Sequence, residues 1–191
     1  MVFLRNVVNT ISGTPQFRIV EDADSAATTY AFYTQADLED DLRGLISQND
    51  VRKHVRTSDK VVTASSGDVV FSLLSGTAAI ARLNHQGYLL TQNYVVLKPL
   101  IEIDARYLVY LLNECRQIRH QLYVGQQGSM TMKHTLGQLR DLVMPGLPSG
   151  EKQKVIGELY LSQLKLEALR KRASESETAL VLGAIRKAEQ S

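Results

Sequence analysis

The sequence has little of what marks secreted, metal-binding or membrane proteins. It holds one cysteine, four prolines and no tryptophan among 191 residues. A single cysteine, Cys115, permits no internal disulfide and no structural zinc site, so we interpret it as a buried small apolar residue. The longest apolar runs, such as residues 108–112, are far shorter than the roughly 20 residues of a membrane span. Because Asn6 interrupts the amino-terminal apolar stretch before a signal-peptide core could form, we expect a cytoplasmic protein.

Recognisable catalytic motifs are also missing. The sequence has neither the glycine motif nor the Asn/Asp-Pro-Pro-aromatic motif of a DNA methyltransferase, and residues 149–152 (Ser-Gly-Glu-Lys) do not have Walker spacing. The same segment also misses the acid followed by Glu-x-Lys that a metal-dependent nuclease uses. The four histidines lie too far apart for ordinary metal-ligand spacing. We therefore predict no catalytic residues, no metal and no cofactor in this chain.

Charge is unevenly distributed, although the formal net charge is only +2. Residues 21–50 contain eight acids and one base, whereas residues 51–134 contain ten bases, five acids and all four histidines. A basic segment of this kind can face phosphates while the whole protein stays nearly neutral. The residues predicted to contact phosphates are Arg52, Lys53, Arg56 and Lys60. The alternative is that these charges are merely scattered and solvated.

The spacing of apolar residues predicts an α+β fold with a mixed or antiparallel β core and packed helices. Predicted strands, rich in β-branched residues, lie at residues 30–33, 60–63, 69–72, 80–82 and 94–97. Thr34 is suited to cap a helix, and the apolar residues from 107 to 123 predict another helix after Asp104. Residues 4–11 also have helical spacing, but the segment is short.

The chain is predicted to divide into a domain of residues 1–148 and a long helix within residues 149–191. Pro145 and Pro148 indicate the boundary, and Ser149 is suited to cap a helix from Gly150 to Ala188. Such a helix would be about 57 Å long, more than one small domain can cover. The residues predicted to form a dimerisation seam are Val155, Leu159, Leu166, Leu169, Ala173 and Leu180. The alternative is a helix that folds back onto its own domain.

Several segments together resemble a known family. They are residues 67–72 (Gly-Asp-Val-Val-Phe-Ser), 75–78 (Ser-Gly-Thr-Ala), 91–93 (Thr-Gln-Asn), 97–99 (Leu-Lys-Pro), 103–108 (Ile-Asp-Ala-Arg-Tyr-Leu) and 139–154. In this order they resemble a target-recognition domain of the specificity (S) subunits of type I restriction-modification systems. The last segment resembles the stretch that leads into the family's long conserved helix.

This resemblance implies a non-catalytic DNA-reading subunit. Full-length family members hold two recognition domains and two paired helices, so this chain resembles one half, and two copies would form a homodimer that reads a bipartite palindromic site. The implied partners are double-stranded DNA, a DNA methyltransferase subunit that binds S-adenosylmethionine and, as an optional member, a restriction motor subunit. No membrane partner is implied.

The polar segment after residue 125 is the predicted base-reading loop, because amides, hydroxyls and basic groups match base edges. Its candidate DNA-binding residues are Gln126, Gln127, Ser129, Thr131, Lys133 and His134. It can equally be an ordinary surface loop, and Gln92 and Asn93 can be structural. Two other functions stay open. One is an interaction module or inhibitor that occupies the methyltransferase, with the acidic residues 21–50 covering the basic face. The other is a nucleic-acid enzyme, which metal-dependent DNA cleavage would reveal.

Overall fold

A four-stranded antiparallel sheet forms the centre of the fold. The computed structural model of the chain describes residues 1–24, 26–46, 52–126 and 133–190. The strands within these residues are β1 (Val2–Phe3), β2 (Val8–Ser12), β3 (Thr28–Ala31), β4 (His54–Thr57), β5 (Val69–Ser72), β6 (Thr77–Ile80), β7 (Tyr94–Pro99) and β8 (Val143–Met144). The helices are α1 (Leu4–Val7), α2 (Gln35–Arg43), α3 (Ala105–Glu114), α4 (Arg116–Gln126), α5 (Leu136–Arg140) and α6 (Gly150–Glu189). The predicted α+β class with a long carboxy-terminal helix is confirmed.

The central sheet has the order β2-β7-β5-β6 and is covered on both faces. Successive side chains of a strand point to opposite faces, so Val69 and Phe71 of β5 join one apolar cluster and Val70 joins another. The first cluster includes residues of α1, α3, α4 and α5, and the second includes Leu38 of α2. The apolar run in β5 therefore reflects burial on both faces rather than on one.

Two smaller sheets pair β1 with β8 and β3 with β4, both antiparallel. The strand predicted at residues 60–63 is wrong. There, only Thr63 forms a bridge, to Leu89. The backbone N–H of Val62 instead donates to the hydroxyl of Thr14 at 2.8 Å. Because a side chain supplies this acceptor, the segment can pack against the domain without joining a continuous ladder.

The helix predicted to run from Asp104 to Tyr123 is two helices. Asp104 caps α3 by accepting from the N–H groups of Arg106 and Tyr107 at 2.9 and 3.2 Å. Cys115 then takes an extended conformation, φ −61° and ψ 114°, which ends α3 before α4 begins. The break turns α4 so that Ile118 and Leu122 enter the same core as α3. At the other end of the chain, the short opening helix prediction is only partly right, since β2 follows α1 directly.

The long helix α6 packs its first half against α3. Gln153 is buried, accepts the N–H of Asp104 at 3.0 Å and donates to the carbonyl of Pro148 at 2.9 Å. Ser149 precedes the helix, but its hydroxyl forms no capping hydrogen bond, contrary to prediction. From residue 169 onward nearly every described residue of α6 is exposed. None of the described helices is long and apolar enough to cross a membrane.

Gly157 allows the close approach of α6 to α3, and replacing it should weaken the fold. A Cβ at this position would lie 2.6 Å from both the Cβ of Arg106 and the backbone nitrogen of Tyr107. We expect Gly157→Ala to lower the free energy of unfolding by about 1–3 kcal/mol, because the helices must separate to admit the methyl group. Urea denaturation followed by circular dichroism measures this change.

Gly183→Ala is the matched control, because nothing lies within 4 Å of a Cβ at that helical position. Alanine there should leave stability unchanged or raise it by up to about 1 kcal/mol, since it favours the helix. Equal effects of the two substitutions would contradict the close helix contact at Gly157.

Candidate nucleic-acid interface

Several loops meet at the edge of the central sheet where β7 begins and β2 and β5 end. We call residues 13–18, 72–76, 91–93 and 133–134 the loop end. The N–H of Leu73 donates to the carbonyl of Asn93 at 2.8 Å, and the N–H of His134 donates to the carbonyl of Leu73 at 2.8 Å. The N–H of Gln16 donates to the side-chain oxygen of Gln92 at 2.6 Å. These bonds join the four segments into one surface.

The loop end carries positive charge and no acid. Arg18 and Lys133 are its cations, and its other polar side chains are amides, hydroxyls and the imidazole of His134. Lys133 Nζ donates to the side-chain oxygen of Asn93 at 2.5 Å, and Arg119 from α4 donates to the carbonyl of Gly76 at 2.5 Å. A surface of this composition can attract phosphates and offer hydrogen bonds to base edges.

His134 is buried beneath this surface rather than exposed on it. Its ring contacts Phe71 edge-on, with the centroids 6.4 Å apart, and its Nε2 lies 2.5 Å from where a Cβ on Gly76 would be. Gly76 has φ +65°, so both its conformation and its contact favour glycine. Burial, and then the charge of Arg119, lowers the pKa of His134, which keeps the ring neutral at pH 7. The base contact of His134 stays a prediction, and it would require the ring to leave this packing.

The remaining base-reading candidates fall mostly outside the described residues. Gln127, Ser129 and Thr131 lie outside them, and only the backbone of Gln126, the last residue of α4, is described. The segment starts at the end of α4, where the side chain of Gln138 donates to the carbonyl of Gly125, and it ends at Lys133. The sequence therefore connects these candidates to the loop end, and their DNA contacts stay predictions.

The four basic residues predicted to contact phosphates are in different environments. Lys53, Arg56 and Lys60 are exposed, with Lys53 Nζ 5.4 Å from the centroid of the Phe32 ring. Arg52 instead forms an ion pair with Asp37 at 2.8 Å, and its side chain is only 24% exposed. This ion pair leaves Lys53, Arg56 and Lys60 as the accessible members of the set.

Arg52 belongs to a buried network centred on His85. His85 Nδ1 lies 2.8 Å from Asp41 Oδ1, and His85 Nε2 lies 3.2 Å from Asp37 Oδ1. The hydroxyl of Tyr33 donates to Asp41 at 2.7 Å. Burial and the neighbouring Asp41 raise the pKa of Tyr33, so it remains a proton donor. The network ties α2 to the turn that follows β6, and sequence spacing offered no sign of it.

The exposed face of α4 adds a second basic surface. Arg116, Gln117, His120 and Tyr123 are exposed and line one hollow on this helix. Tyr123 is 63% exposed. Because α4 leads directly into the base-reading candidates, this face can lie beside the same nucleic acid. Among the described residues, no group of three or more His, Cys, Asp or Glu side chains is arranged to hold a metal ion.

The predicted seam lies on the face of α6 that points away from the domain. Gln153, Gly157 and Ala168 are the buried residues of the helix and lie on its opposite face. The large apolar members of the seam are exposed, by 58% at Val155, 66% at Leu159, 42% at Leu166, 45% at Leu169 and 76% at Leu180. One face of the helix thus packs against its own domain. The opposite face carries an exposed apolar stripe, which includes Ala173.

Sequence reasoning missed part of the loop end. Phe17 and Arg18 are exposed on a 3₁₀ turn, Gln16–Arg18, and neither was a candidate. Gln92 and Asn93 have the structural role that the sequence left open for them, because each accepts a hydrogen bond from a neighbouring segment. The signal available in the sequence was an aromatic residue next to an arginine, directly after the turn at Pro15.

Solved structures from type I restriction-modification systems have a similar fold. The HsdS subunit from Thermoanaerobacter tengcongensis aligns with 90% of this chain at a TM-score of 0.56 and 22% identity. A chain from a study of complex assembly and conformational transition in a type I R-M system aligns with 93% at 0.64 and 14% identity. The type I S subunit from M. genitalium aligns with 83% at 0.51 and 13% identity.

The resemblance inferred from sequence is therefore confirmed at the level of the fold, which is that of type I specificity subunits. No family model matches the sequence, and no curated protein matches it. This chain spans less than half of each similar structure: 39%, 45% and 37% of their lengths.

Proposed function

We propose that this chain is a DNA-binding specificity subunit of a type I restriction-modification system, acting in the cytoplasm. The observation that carries the proposal is the acid-free loop end on a fold shared with specificity subunits. Amides and hydroxyls there are suited to base edges, while Lys53, Arg56 and Lys60 are suited to phosphates. The chain itself has no catalytic role in this proposal.

The active form is a homodimer that pairs through the exposed stripe of α6. In this arrangement residues 1–148 read DNA, and residues 149–191 separate two readers by antiparallel helix pairing. A two-fold dimer favours a bipartite palindromic site. The dimer directs a DNA methyltransferase, which supplies S-adenosylmethionine, and a restriction motor subunit is an optional further partner. The exposed apolar residues of the seam support this pairing, because such a stripe is rarely left uncovered.

A second candidate is an interaction module that occupies the methyltransferase without reading DNA. Two observations favour it: Asp37 pairs with Arg52, and Glu21 and Asp22 border the same hollow as His54 and Arg56. Acidic residues thus neutralise part of the predicted basic face. The acid-free loop end favours the DNA-reading function over this alternative.

Selection from a pool of random-sequence duplexes, using the full chain, tests the proposal. We expect enrichment of a bipartite palindromic site, with binding that weakens as salt rises. Absence of any enriched sequence, combined with capture of a DNA methyltransferase, would favour the interaction module. Cleavage of the duplexes in the presence of Mg²⁺ would contradict a non-catalytic role.

Replacing Lys53 and Lys60 by glutamine should weaken binding to all duplexes alike. The slope of log K against log salt should become shallower by about one for each phosphate that the variant no longer neutralises. Fluorescence anisotropy over a salt series measures this slope. The control is the pair Lys152→Gln and Lys154→Gln. Both residues are exposed at the start of α6, which lies near the edge of the central sheet opposite the loop end. Equal slopes for both pairs would contradict the predicted phosphate contacts.

A further inference from the structure

Among the large apolar residues that the structure describes, Phe17 is more exposed than all but Met1. Its side chain is 81% exposed, and the neighbouring Arg18 guanidinium lies 5.7 Å from its ring centroid. A phenylalanine ring is a large apolar group, and its burial against a partner would be favourable. Leu74 of the loop end is also 46% exposed.

The turn that carries Phe17 is held from several sides. Pro15 fixes the backbone before it, and the N–H of Arg18 donates to the carbonyl of Pro15 at 2.9 Å. Gln16 is bound to Gln92 at 2.6 Å, and the N–H of Val20 donates to Asp59 at 2.8 Å. A fixed turn loses little conformational entropy on binding, which suits a residue that must enter a partner in one orientation.

The segment 91–93 forms hydrogen bonds with both Gln16 and Lys133, and Lys133 is one of the predicted base-reading residues. Gln92 accepts from Gln16, and its neighbour Asn93 accepts from Lys133. Phe17 therefore lies on the surface that Lys133 shares. Asp59 adjoins this turn through Val20, but the loop end itself has two cations and no carboxylate, so its charge matches nucleic acid better than an acidic-rimmed protein interface.

We propose that Phe17 packs against a base step of the bound duplex and that Arg18 neutralises the adjacent phosphate. Apolar side chains that press between base steps unstack them and favour sequences that deform easily. Phe17 would then add selectivity through DNA deformation, separately from the hydrogen bonds of the amide groups. This inference rests on the proposed DNA-reading function.

The test compares Phe17→Ala with Leu83→Ala in the full chain. Leu83 is 72% exposed on another 3₁₀ turn, Leu83–His85, which follows β6 at the opposite end of the sheet. The probe is the duplex enriched from the random pool by the unaltered chain, labelled with 2-aminopurine at each position in turn. We expect a rise in 2-aminopurine fluorescence at one step, lost in Phe17→Ala and kept in Phe17→Tyr and Leu83→Ala.

Affinity separates this inference from the proposed function. Phe17→Ala should bind the enriched duplex roughly 5- to 100-fold more weakly, while its affinity for the random pool changes less than about twofold. Unchanged binding, or an equal loss on both probes or in Leu83→Ala, would overturn the role of Phe17 and leave the DNA-reading function standing. No enriched duplex with the unaltered chain would overturn both. Loss of methyltransferase capture with DNA binding intact would assign Phe17 to a protein contact instead.

Discussion

Replacing Leu159 and Leu166 by glutamate is expected to convert a dimer of this chain into monomers. Both side chains are exposed in the single chain, by 66% and 42%, and both belong to the predicted seam. In the proposed dimer each would be buried, and an unpaired carboxylate in an apolar contact is strongly unfavourable. We expect the dissociation constant to rise by at least about 100-fold, since each 1.4 kcal/mol corresponds to a factor of ten.

Light scattering over a range of concentrations measures this change. Gln163→Glu with Ser174→Glu is the matched control, because it adds the same charge to exposed residues beside the seam. Helix content should be equal in both variants, since neither pair lies in the contact with α3. A monomeric unaltered chain, or a glutamate variant that stays dimeric, would contradict pairing through this face.

Point substitutions are a better test than deleting the helix. The first half of α6 covers α3 through Gln153 and Gly157, and Tyr160 donates to Glu114 at 3.0 Å. A chain cut at Ser149 would expose this face, so its mass would report a damaged domain as well as a lost seam. Substitutions on the exposed face avoid this problem, because the side chains there do not pack against the domain.

Local signals in the sequence predicted the elements that local interactions determine. Thr34 accepts the N–H of Asp37 and so caps α2 as expected, and Asp104 does the same for α3. β5 and β7 match the predicted apolar runs, and α6 matches the long periodic stretch. In each case the residues that decide the structure lie within a few positions of one another.

The features of the fold that could not be predicted depend on contacts between residues that are distant in the sequence. Apolar residues have the same helical spacing before and after Cys115, so spacing alone does not indicate the break between α3 and α4. The break is evident only from the packing of Ile118 against the core. The ion pair of Arg52 could not be predicted because its partner, Asp37, belongs to another segment, and the phosphate contact of Arg52 stays a prediction. Phe17 could not be predicted because apolar residues are normally assigned to the core, and only the fold shows that its turn points outward.

Replacing His85 by alanine is expected to destabilise the fold more than Gly157→Ala does. The ring is only 4% exposed, and both of its nitrogens face carboxylates, at 2.8 Å from Asp41 and 3.2 Å from Asp37. Removing the ring leaves the buried Asp41 side chain without one hydrogen-bond partner and removes the contact to Asp37, at a cost of about 1–3 kcal/mol for each buried polar group. This is a large part of the roughly 5–15 kcal/mol that stabilises a typical domain.

Urea denaturation measures the loss, and His120→Ala is the control because His120 is exposed on α4. The control should change the free energy of unfolding by less than about 0.5 kcal/mol. If the carboxyl group left without its partner is the cause, Asp41→Asn should recover part of the stability of His85→Ala, although alone it would weaken the network. A loss below about 1 kcal/mol in His85→Ala, or no recovery in the double variant, would contradict a stabilising contact between His85 and Asp41.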